Sequence, residues 1–291
     1  MKKEYTLRHP VVNGLFYPDK KSELENIVTE YMEKADKKSL YESIREQTGL
    51  RNPEEVLPLA IIVPHAGYIF SGKVQAYSYS LLINSPVDTA VIIGPSHQKS
   101  FEGLSVNLDN AYKTPLGNVE VDLDFSNELN SYNDNIFINE EAHLSEHAIE
   151  VQLPFIQTVM KEVKIVPVLI GEQNWENSEL LKNAIISAMK KLPKNYVVII
   201  SSDLSHYHPH VEAITLDKLL LEDIKNMNAQ SFYDNIQSGK SEACGFGGIL
   251  TGIMLSSETG KKKSAILHYM NSGEVSGDRK KVVGYLSAAL Y

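Results

Sequence analysis

The chain has 291 residues, 43% hydrophobic and 22% charged, a composition that fits a globular protein and leaves one large α/β domain or two small ones open. Asp and Glu outnumber Lys and Arg by 37 to 28, and the net charge of −9 argues against a nucleic-acid-binding face. A single cysteine excludes an internal disulfide framework, and no apolar run approaches the roughly 20 residues that span a bilayer.

The opening "MKKEYTLRHP" has lysines but no apolar stretch behind them, so no signal peptide is expected and the expected setting is the cytoplasm. "LPLAIIVPHAGY" then reads as a strand entering a Gly-bearing loop, with "KVQAYSYSLLINS" as the helix behind it. In that loop Ser71 is a candidate helix cap. "DTAVIIGPSHQ" is the next strand and loop. Segment 102–122, "EGLSVNLDNAYKTPLGNVEVD", alternates on both sides of a Thr-Pro-Leu-Gly turn and predicts a hairpin inserted into the sheet architecture. "EHAIEVQLPFIQTVM" predicts a buried helix opened by Glu146 and His147, kinked or delayed by Pro154. His143 falls in the loop before it. "VKIVPVLIGEQ" and "NYVVIISSDLSHY" repeat the strand-loop pattern, with "SELLKNAIISAMKKL" and "VEAITLDKLLLEDIKNM" as helices. Cys244 opens a further helix, and the tail from residue 263 reads as two strands around a Gly/Asp turn. Continuous apolar strands alternating with helices predict a mainly parallel central sheet with helices on both faces. No linker divides the chain, so residues 1–291 are expected to form one α/β domain. The short basic clusters Lys261–Lys263 and Arg279–Lys281 read as solvated turns.

The chemistry-bearing residues fall where such a sheet concentrates ligand sites, beyond the carboxyl ends of its strands. His65 follows the strand Ala60–Val63, His97 follows Ala90–Ile93, and Asp203 and His206 follow Val197–Ile200. A lone histidine after a strand is usually a hydrogen-bonded loop residue; three at equivalent ends, with Asp203 and Cys244 in addition, point to a site. There is no H-E-x-x-H and no paired C-x-x-C, so a metal site would be assembled from distant segments. A dinucleotide fingerprint, a phosphate loop and a nucleophile elbow are all absent. His208 and His210 read as solvated loop histidines or secondary contacts, and His9 and His268 as structural.

Taken in order, "RHPVVNGLFYP", "VPHAGYIFSG", "GPSHQ", "EHAIEVQLPFIQ", "SSDLSHY" and "CGFGG" resemble the Memo family, whose prokaryotic members are called protein B of the AmmeMemoRadiSam system. The resemblance runs from about residue 8 to the C-terminus. It implies the fold of class III extradiol dioxygenase catalytic subunits, which hold non-haem Fe(II). It further implies that His65, His97 and Cys244 form a metal pocket, with Cys244 where the ring-cleaving enzymes carry a glutamate ligand. His206 matches their catalytic acid/base, with Asp203 beside it; His147 and Glu146 line the same cleft.

A thiolate in place of a carboxylate softens the site towards copper(I) or zinc as well as Fe(II), and makes ring cleavage doubtful. The resemblance implies Fe(II) or Cu as the cofactor, Zn is admissible, and no nucleotide cofactor is expected. One function is a metal-dependent oxidoreductase acting on an unknown small substrate. The alternative is a non-catalytic peptide- or ligand-binding scaffold working with a radical-SAM partner, with Tyr68, Tyr207 and Phe246 as apolar walls. A third is a metal-free nucleophile at Cys244. Nucleic acid and membrane are not expected partners.

Overall fold

The computed structural model describes residues 5–291. In chain order the strands are β1 (Leu7–Arg8), β2 (Ala60–Val63), β3 (Thr89–Pro95), β4 (Leu104–Val106), β5 (Ala111–Thr114), β6 (Gly117–Glu120), β7 (Ile136–Ile138), β8 (Lys164–Ile170), β9 (Tyr196–Ser201), β10 (His206–His208), β11 (Ser264–Asn271) and β12 (Val282–Leu290). Nine of them form one sheet in the order β10-β12-β2-β9-β3-β8-β4-β7, with β11 on the other side of β12 from β2. The centre, β2-β9-β3-β8, is parallel. Towards both edges antiparallel strands join it, so the sheet is mixed with a parallel heart.

Apart from Thr89, Lys164 and Ser201 at their ends, the parallel strands are apolar because both faces are covered. In β3, Ala90 and Ile92 enter one core with helices Lys21–Lys34, Lys37–Thr48 and Tyr68–Ser80. Val91 and Ile93 enter the opposite core with helices Trp175–Lys191, His210–Lys225 and Phe246–Glu258. The first two helices were not legible as elements, since their stripe is sparse: Leu24, Val28 and Met32 in one, Leu40 and Ile44 in the other.

The hairpin expected over 102–122 differs in extent. Its Thr114–Gly117 turn is present, joining β5 to β6, but β5 also pairs with β1, giving a separate three-stranded sheet, while β4 joins the main one. Pro154 does delay its helix: a 3₁₀ turn over Glu150–Gln152 precedes the helix Leu153–Val159, in which Pro154 sits in the first turn, where no N–H is needed. Glu146 and His147 accordingly lie in the bend before that turn and do not open the helix. Ser71 is not a cap either; the helix starts earlier, after Gly67, and the Ser71 hydroxyl donates to the Ala66 carbonyl at 2.6 Å. Among the described residues no helix is long and apolar enough to cross a membrane.

One buried ion pair ties the N-terminal segment to the bend at residues 146–150. Arg8, 2% exposed, bonds the Glu150 carboxylate, the Glu146 carbonyl at 2.6 Å and the His143 carbonyl at 3.2 Å. Glu150 also accepts from the Val11 and Val12 N–H groups, at 2.8 and 3.0 Å, and from the Tyr17 hydroxyl at 2.6 Å. Arg8→Ala leaves that carboxylate buried without its counter-charge, and should cost about 3–5 kcal/mol in urea unfolding. A loss below about 1 kcal/mol, the range of an exposed pair, would contradict this account of the anchor.

Candidate functional site

The register of the parallel strands decides which loops meet. Val63 pairs with Ser201 at the ends of β2 and β9, and Pro95 pairs with Ile170 at the ends of β3 and β8. The chain therefore leaves the sheet at one edge in front of His65, His97 and Asp203. Cys244 reaches the same place from the other direction, through the turn that starts helix Phe246–Glu258. Its N–H donates to the Asp203 carbonyl at 3.1 Å, and the Asp203 N–H points at its sulfur at 3.2 Å. Gly245 makes this approach feasible: a Cβ there would lie 2.5 Å from the Ser201 carbonyl oxygen.

His65, His97 and Cys244 offer one ligand atom each, all within 4.8 Å of one another. His65 is buried, with Nδ1 at 2.9 Å from Ser201 Oγ and Nε2 at 3.1 Å from Cys244 Sγ. Its main-chain N–H donates to Asp203 Oδ1 at 2.8 Å. His97 is open to solvent on one side. Its Nδ1 lies 2.9 Å from Glu146 Oε1, which leaves Nε2 for the pocket, and its main-chain N–H donates to Glu146 Oε2 at 2.6 Å. Glu146 also accepts from the His147 and Ala148 N–H groups, both at 2.9 Å. Its oxygens are thus committed to holding His97 and the bend.

His147 joins His65 and His97. Its ring stacks on His97 at 4.7 Å, stands edge-on to His65 at 5.3 Å, and is covered by Phe16 at 5.0 Å. His206 lies at the margin, near enough that its charge would depress His65. A bulge between His206 and His208 puts Tyr207 in the left-handed region at φ 63°, with 69% of the residue exposed. Phe246 is half-buried against the core. Tyr68 does not line the cleft as expected: it is buried between Tyr17 and Phe155, with its hydroxyl donating to the Val151 carbonyl.

Burial sets the charge states. It pushes His65 well down, helped by the neighbouring His147, His97 and His206, and it lowers His147 and His206. Burial also works against a charge on His97, but the Glu146 carboxylate outweighs it and the net shift is upward. Burial raises Asp203 to about 7, opposed by hydrogen bonds from the His65 and Ala66 N–H groups. The Cys244 thiol is pushed well up, by burial first and by Asp203 next. The pocket thus presents neutral imidazoles at His65 and His147, a His97 whose charged form Glu146 favours, and a protonated thiol that gives up its proton only to a strong acceptor or a metal.

The remaining histidines lie outside it. His208 is in β10, with Nε2 at 2.9 Å from Glu242 and Nδ1 at 3.2 Å from Glu212; it is a paired strand residue and not a solvated loop. His210 opens a helix beside Asn271. His268 stacks on Tyr77 at 4.3 Å. His143 lies in the short helix Glu140–Leu144, contrary to the loop expected, buried between the Tyr112 hydroxyl at 3.2 Å and Ser105 Oγ at 3.1 Å. Sequence reasoning missed Arg8, Glu150, Gln152 and Ser201. Their one signal was a polar side chain inside or beside an apolar run.

A family model described as a Memo-like protein matches residues 8–289, nearly the whole chain. A MEMO1 family protein of Methanobrevibacter smithii is 39% identical over 97% of this chain and 98% of its own length. MEMO1 family proteins of Methanocaldococcus jannaschii and Sulfurisphaera tokodaii are 36% and 37% identical with the same coverage. The protein is thus of the mixed α/β class with a His/His/Cys cluster at its strand ends. It belongs to the Memo family.

Burial pushes His143 down to about 3 from 6.5, so between these values the unfolded chain binds a proton that the folded one does not. Stability should therefore fall as pH drops through this window, by up to about 1.4 kcal/mol per pH unit from this group. His143→Gln should flatten the slope of urea-derived stability there, and an unchanged slope would contradict a neutral buried His143.

Proposed function

We propose that the chain is a cytoplasmic metal-dependent oxidoreductase acting on a small substrate, its metal held by His65 Nε2, His97 Nε2 and Cys244 Sγ. The observation that carries this reading is the convergence of those three donors, each with its lone pair or labile proton directed into one pocket. The donor set fits the group: two imidazoles and a thiolate suit copper(I), zinc or iron, and three protein ligands leave room for substrate. Bound iron or copper would supply Lewis acidity and one-electron chemistry at the pocket floor. Glu146 orients His97. His206, kept neutral by burial at the margin, is placed to take or give a proton at its imidazole. Asp203 supports the walls by accepting the His65 N–H, and His147 with Phe16 covers one side of the pocket against water. Cys244 in place of a carboxylate argues against transfer of the ring-cleaving reaction.

The raised thiol argues against a metal-free nucleophile, which would need a depressed one. A scaffold reading keeps one favourable observation. Leu15 and Tyr207, 80% and 69% exposed, adjoin Phe16 and His206 and offer apolar contacts to a peptide or a protein partner. A radical-SAM protein is the partner this family's system name suggests.

Anaerobically purified protein should take up roughly one equivalent of Fe(II) or Cu, strongly enough to survive desalting, and either His65→Ala or Cys244→Ser should abolish uptake. Metal content unchanged in both variants, read by elemental analysis, would refute the proposed ligand set.

A further inference from the structure

The hydrogen bonds behind His65 can be given directions one after another, starting from groups that can only accept. The Pro64 carbonyl is one. Gln152 Nε2 lies 3.0 Å from it and 2.9 Å from Ser201 Oγ, while Gln152 Oε1 receives the Tyr79 hydroxyl at 2.9 Å. The amide is thereby oriented, and its nitrogen donates to Ser201. The Ala148 carbonyl is the second pure acceptor, 2.7 Å from Ser201 Oγ, and it takes the single proton of the hydroxyl. Ser201 Oγ then has only lone pairs to offer His65 Nδ1 at 2.9 Å, so that nitrogen must carry a proton. In a neutral ring the remaining lone pair sits on Nε2, facing Cys244 Sγ at 3.1 Å, and the thiol is the donor of that contact.

We infer that Ser201, itself oriented by Gln152 and the Ala148 carbonyl, is a positioning residue that locks His65 in its Nδ1–H tautomer and aims the Nε2 lone pair into the pocket before a metal arrives. Ser201, Gln152 and Ala148 are all buried, so no water competes for these bonds. The arrangement parallels that of His97, whose Nδ1 faces the Glu146 carboxylate, but uses a neutral partner. The opposite tautomer would place a proton where the metal must bind, and ligation would first require its transfer. The consequence for metal capture rests on the metal-binding reading above; the tautomer lock does not.

The test is nitrogen NMR on the metal-free full-length chain labelled with ¹⁵N-histidine, with His65 assigned by the signals lost in His65→Gln. Wild type and Ser201→Thr, which keeps the hydroxyl, should show the Nδ1–H pattern; Ser201→Ala should lose it in favour of Nε2–H. With Zn(II) as probe, Ser201→Ala should bind about 10–100-fold more weakly and Ser201→Thr should recover affinity. An Nε2–H pattern in wild type, or a Ser201→Ala protein with unchanged tautomer and unchanged Zn(II) affinity, would overturn the inference. A tautomer that switches in Ser201→Ala while no variant binds Zn(II) would uphold the lock and refute the metal-binding reading instead.

Discussion

The pair of Arg8 with Glu150 is the contact on which the rest of the pocket depends. A carboxylate with no exposure is tolerable only when its charge is matched and its lone pairs are filled, and here Arg8, Tyr17 and two main-chain N–H groups do both. Because Arg8 also bonds the carbonyls of His143 and Glu146, it fixes the bend between them as well as the N-terminal strap. Phe16, on that strap, then reaches His147 and gives its carbonyl to the Tyr68 N–H, closing one wall of the site.

From this anchored bend, residues 146–152 support His65 and His97 at once. Glu146 turns His97, and Gln152 acts through Ser201 on His65. Neither histidine is positioned by its own strand alone. The strands bring the loops to one edge, and a short buried segment with polar side chains at 146, 150 and 152 sets the ring orientations. Rigid backing of this kind is what keeps donors in place for a small ion, since an imidazole rotated about its own axis presents a carbon or a proton instead of a lone pair.

Much of this was legible in the sequence, and the failures have physical causes. The four parallel strands announce themselves because burial on both faces removes polar residues from them, and histidines just past such strands must share an edge of the sheet. Cys244 was legible as a member through the motif "CGFGG" and its family resemblance; its position follows from Gly245, which alone permits contact with the Ser201 carbonyl. Tyr68 was misread because an aromatic next to a ligand loop gives no sign of which way it turns, and burial in the Tyr17–Phe155 cluster decided it. His143 and the hairpin strands depend on contacts with Arg8 and β1, more than a hundred residues away, which local pattern does not encode. The supporting residues Ser201 and Gln152 are ordinary polar types, and only their partners reveal them.

The central claim is that His65, His97 and Cys244 bind one ion together. X-ray absorption at the metal edge of the loaded protein tests it most directly. With zinc as the probe, the account predicts one sulfur at about 2.3 Å and imidazole nitrogens at about 2.0–2.1 Å. A first shell of nitrogen and oxygen alone in the wild-type protein would contradict it.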